Sequence, residues 1–70
     1  MMPLTMMKTG EACSIKRVGG KEEVRRFLNS LGFVAGSDVT MVSENKGNVI
    51  VNIKESRVAI SREMANKIMV

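Results

Sequence analysis

Seventy residues with a net charge of +4, one cysteine and no histidine make one small domain with a modest core. Such a chain removes only roughly 60% of its unfolded surface from water, so its stability margin is thin. Cys13 has no partner for an intrachain disulfide, and without histidine neither serine–histidine nor cysteine–histidine catalysis can be built. A lone thiol suits a reducing compartment, no apolar run approaches the roughly 18 residues of a membrane span, and the N-terminus lacks the leading charge of a signal peptide. The expectation is a soluble cytoplasmic protein.

Residues 1–9 are rich in methionine (Met1, Met2, Met6, Met7) and interrupted by Pro3, which predicts an extended arm with a frayed end. Those methionines are best read as packing across one end of the domain rather than as a metal site. Gly10-Glu11 reads as a turn. Residues 12–18 alternate weakly and predict a first strand with Cys13, Ile15 and Arg17 on one side, ended by Gly19-Gly20. A helix follows from about Lys21 to Leu31. Val24, Phe27, Leu28 and Leu31 fall at i, i+3, i+4 and i+7, which places all four on one face turned to the core. Glu22 and Arg26 form an i,i+4 pair in the favourable order. Gly32 can take the left-handed conformation that closes a helix, and Phe33 then folds back onto Leu28. Four residues on, Gly36 supplies positive φ at the third position of a type II turn, Val34 to Ser37.

Residues 38–44 place Val39 and Met41 on one face and Thr40, Val42 and Glu44 on the other. Asn45-Lys46-Gly47-Asn48 predicts a hairpin turn with Gly47 at positive φ. Val49, Val51 and Ile53 alternate along the next strand, and Glu55-Ser56 leads to a short strand carrying Val58 and Ile60. Ser61 is a good N-cap for a last short helix, with Met64, Ala65 and Ile68 inward. Met69-Val70 adds an edge strand. The sum is a mainly β fold: a partly open SH3-like barrel of about five strands, with one inserted helix and a short C-terminal helix, in one domain over residues 1–70.

Catalytic chemistry is missing from this pattern. Glu11, Glu22, Glu23, Asp38, Glu44, Glu55 and Glu63 are scattered over turns, helix starts and exposed faces, and no two are held as a general acid–base pair. Gly19-Gly20-Lys21 lacks the rest of a phosphate-binding loop, since Ile15 and Glu22 stand where that motif needs glycine and Ser or Thr. Cys13 reads as a small buried hydrophobe. Phe27 and Phe33 are the only aromatics and both are assigned to the core, so neither a polyproline groove nor a base-stacking platform is present. What remains is a surface. Glu22, Arg26 and Asn29, flanked by Arg25, form the helix face opposite the apolar stripe, and with Arg62 and Lys67 they fit an acidic partner. A merely solvated face explains the same charges.

The ordered set Leu4, Gly10-Glu11, Ile15, Val18-Gly19-Gly20, Arg26, Leu28, Leu31-Gly32-Phe33, Gly36-Ser37 and Val39 resembles the ferrous iron transport protein A (FeoA) family. The pattern continues through Val49, Val51, Val58-Ala59-Ile60-Ser61, Ala65, Ile68 and Val70, so the resemblance covers nearly the whole chain. It implies an SH3-like barrel that is not an enzyme and needs no cofactor. The implied partner is the membrane ferrous iron transporter FeoB, through its cytosolic GTP-binding region. It also implies transition metal binding, Fe2+ among the candidates, with no ligating residues assigned. Family members often carry proline where this chain has Ala35. Two alternatives stand beside this reading: a small basic regulatory or nucleic-acid-binding barrel, against which the scattered charge and missing aromatics argue, and a homo-oligomer bridged by metal through carboxylates or Cys13.

Overall fold

The computed structural model describes residues 1–70. Four strands form one antiparallel sheet: β1 (Ala12–Ser14), β3 (Asp38–Glu44), β4 (Asn48–Ile53) and β5 (Ser56–Ser61), in the order β1-β3-β4-β5. A second, two-stranded sheet pairs β2 (Arg17–Val18) with β6 (Ile68–Met69). Helix α1 (Glu22–Ser30) joins β2 to β3, and α2 (Arg62–Ala65) joins β5 to β6. This is the mainly β barrel the sequence predicts, with six strands rather than five.

The extra strand arises at Ile15-Lys16, where the expected single strand over 12–18 changes partner. Ile15 donates its N–H to Ser37 (2.8 Å) and accepts from Gly36 (2.9 Å), whereas Lys16 donates to Met69 (2.7 Å). The chain therefore leaves β3 and joins β6 within two residues. Ile15 turns into the core, while Arg17 is exposed and does not share its side. Strand alternation supplies the rest of the core: Val39 and Met41 from β3, Val49, Val51 and Ile53 from β4, and Ile60 from β5 are all buried. A bulge at Val42 shifts the register between Met41 and Ser43.

The hairpin turns differ from expectation. Gly47 does not take positive φ; the β3–β4 turn closes through the Asn45 N–H on the Asn48 carbonyl at 2.9 Å. Positive φ falls instead at Lys54 (+48°) and Glu55 (+65°), which form a two-residue loop between the paired Ile53 and Ser56. Two successive left-handed residues match the right-handed twist of the flanking strands, as in a type I′ turn.

The N-terminal arm is part of the fold and is not frayed. Met2 and Val70 exchange backbone hydrogen bonds at 3.0 and 2.8 Å, and Pro3 lies opposite Met69. A single 3₁₀ turn, Leu4–Met6, then sends Leu4 and Met7 into the core.

Candidate functional site

Helix α1 ends as its sequence predicts. Leu31 is its C-cap, Gly32 has φ +105°, Gly32 donates to the Asn29 carbonyl (3.0 Å) and Phe33 donates to the Leu28 carbonyl (3.0 Å). This Schellman pattern brings Phe33 back toward Leu28, and both are buried. Three residues on, Ser37 donates to Val34 at 3.1 Å with Gly36 at φ +91°, the expected type II turn. The helix is thus fixed at its C-terminal end, and its outer side is displayed.

Successive residues advance about 100° around the axis, so Glu22, Arg25, Arg26 and Asn29 share the outward side, and all four are exposed. Arg26 donates to Glu22 Oε1 at 2.9 Å, across one exposed turn. Such pairs contribute about 0.3–0.5 kcal/mol and leave the face open to a partner. Lys67 belongs with this helix. The Gly19 N–H donates to the Lys67 carbonyl at 2.7 Å, and the lysine stem lies across Gly20, where an added Cβ would meet Lys67 Cδ at 2.6 Å and Val24 Cγ1 at 3.6 Å. Arg62 is drawn elsewhere. Its guanidinium pairs with Glu44 and its N–H donates to Gly47 (3.2 Å), which ties it to the β3–β4 turn.

One feature of α1 contradicts the sequence reading. Phe27 is 47% exposed instead of buried, and Val24 and Leu31 are half-buried; Leu28 alone on this helix is fully enclosed. The four apolar residues span a wider arc than the core can cover, and Phe27 sits at its edge beside Glu23 and Ser30. That edge position is the only hint in the sequence. A second lysine also escaped the sequence reading: the Lys54 stem runs alongside Gly32, with Cδ 3.4 Å from where a Cβ would stand.

The rest of the surface is plain. It holds no pocket, and no three Cys, Asp or Glu side chains converge; Ser14 Oγ donates to Asp38 Oδ1 at 3.2 Å as an isolated pair. Cys13 is half-buried on β1 and packs against the core. No helix is long and apolar enough to cross a membrane.

The architecture is that of a small SH3-like domain whose displayed feature is a helix face rather than a cleft. The sequence matches the FeoA domain family over residues 2–70, and the chain belongs to that family. A relative in Methanocaldococcus jannaschii, named as an Fe(2+) transport protein A, is 36% identical over 70 residues, which is 100% of this chain and 85% of the relative. A crystal structure of an iron uptake regulatory protein, FeoA, matches with a TM-score of 0.92 at 24% identity, covering 99% of this chain and 93% of that one. FeoA of Stenotrophomonas maltophilia in complex with zinc, described as a prokaryotic SH3 domain protein, matches with a TM-score of 0.86 at 24% identity, covering 100% of this chain and 89% of its own.

Proposed function

We propose that this chain is a cytoplasmic accessory protein of ferrous iron uptake that docks on the membrane transporter FeoB and modulates it. The observation that carries this reading is membership of the FeoA family over residues 2–70, in a domain whose surface offers a helix face and no pocket. An accessory role needs a surface that another protein can read, and exposed α1 supplies one. Its polar side holds Glu22, Arg25, Arg26 and Asn29, and Lys67 extends it at the helix start. Arg62, engaged with Glu44, is dropped from this surface. Fe2+ is the cargo of the transport process in this reading, and no coordinating set of this chain is assigned to it.

The test is an NMR titration of the ¹⁵N-labelled protein with the cytosolic GTP-binding domain of the transporter, with and without nucleotide. Shifts confined to α1, its neighbours Gly32 and Lys54, and residues 66–68 are the expected result. A spectrum unchanged at saturating concentrations in both nucleotide states would overturn the reading.

A further inference from the structure

Phe27 is the one aromatic side chain that the core leaves out. It is 47% exposed, while Phe33 is fully buried. Val24, Phe27 and Leu31 stand at i, i+3 and i+7 along one flank of α1, the outer two half-buried and the middle one open. At about 1.5 Å per residue the stripe is about 10 Å long, or two helical turns. A lysine marks each end. The Lys67 stem lies against Gly20, which Val24 also adjoins, at the start of the helix, and the Lys54 stem lies against Gly32 just beyond Leu31. Neither is in an ion pair; the pairs in this chain are Arg26–Glu22 and Arg62–Glu44. Glu23 stands one turn before Phe27 and is exposed.

We propose that the Val24–Phe27–Leu31 stripe is a docking face for an amphipathic partner helix that carries acidic residues at both ends of its own apolar stripe. This deepens the accessory reading above and rests on it, placing the matching helix on the transporter. Charge complementarity selects the occupant. A second copy of this chain would bring two further lysines against Lys54 and Lys67, on a molecule already at +4. An extended strand would find no sheet edge on α1 to pair with, whereas a helix can set its ridges into the grooves beside Phe27. The aromatic ring supplies the buried anchor, and the two lysines fix direction and register at the rim.

The experiment measures affinity of the full chain for the transporter's cytosolic GTP-binding domain by calorimetry, for wild type, Phe27→Ala, Lys54→Glu, Lys67→Glu and a control, Lys46→Glu at the β3–β4 turn. Thermal melts establish that each variant is folded. Phe27→Ala is expected to weaken binding about tenfold or more. Each of Lys54→Glu and Lys67→Glu should weaken it severalfold and flatten its salt dependence, and Lys46→Glu should change little. Wild-type affinity retained by folded Phe27→Ala would overturn the docking face and leave the accessory reading standing. Sedimentation showing self-association that Phe27→Ala abolishes would also overturn it, by giving the stripe to a second copy. No binding by wild type would remove the accessory reading and the docking face together.

Discussion

Gly36 closes the Val34–Ser37 turn with φ +91°, and the residue before it is exposed with its N–H outside any backbone hydrogen bond. Ala35 therefore occupies the position of a type II turn where proline's fixed φ fits and its missing donor matters least. Ala35→Pro should stabilise the fold by about 0.4–1 kcal/mol, through the narrower unfolded ensemble. For a domain of this size that is a rise of about 2–8 °C in Tm, measurable by circular dichroism. An unchanged or lower Tm would contradict the turn type. The two phenylalanines make a sharper contrast. Phe33→Ala empties a fully enclosed site and should cost about 3–5 kcal/mol, whereas Phe27→Ala should stay within about 1 kcal/mol, both read from urea melts. The sequence assigns both to the core, Phe33 through the Gly32 helix stop and Phe27 through periodicity, but an i, i+3, i+4, i+7 pattern reports which side faces inward and not how wide an arc the core encloses. For α1 this means that its polar side was legible, and that the exposure of Phe27 on the opposite stripe was not.

At the scale of elements, legibility follows whether the stop signals are local. The end of α1 is written in Leu31-Gly32-Phe33, and the start of α2 is written in Ser61, whose Oγ accepts from the Met64 N–H at 3.2 Å. The β4–β5 turn carries no such sign. Lys54 and Glu55 take left-handed conformations that Asn-Gly would adopt with less strain, so the loop is imposed by the pairing of Ile53 with Ser56 and the strands behind it. A left-handed residue with a Cβ costs roughly 1–2 kcal/mol, of which the greater flexibility of unfolded glycine gives back about half. Glu55→Gly should therefore raise stability by about 0.5–1 kcal/mol in chemical denaturation. Lys54 is better left in place, since its stem covers Gly32. A loss of stability in Glu55→Gly would mean that the glutamate makes a compensating contact.

The whole molecule is held closed at its ends. Methionine-rich residues around Pro3 have no periodicity to read, and their partner, Val70, lies at the opposite end of the sequence, so only the folded chain reveals that Met2 and Val70 are bonded to each other. Leu4 and Met7 then join the core cluster to which β3, β4 and β6 also contribute. The switch at Ile15-Lys16 joins the four-stranded sheet to the two-stranded one, so neither has an independent core. Both sheets should unfold together. At roughly 0.05–0.15 kcal/mol per residue, a domain of this size holds about 4–10 kcal/mol, and burying an alanine in place of a fully enclosed leucine removes about 2–5. Leu4→Ala should thus take away at least about a fifth of the stability, and about half at the middle of both ranges, although it lies in the segment that the sequence marks as an arm. Hydrogen exchange on that variant supplies the decisive reading: the slow amides of β4 and those of β6 should accelerate by the same factor, because one opening exposes both. If β6 and the Met2 amide accelerate while β4 keeps its protection, the two sheets open separately, and the N-terminal segment closes only the smaller one.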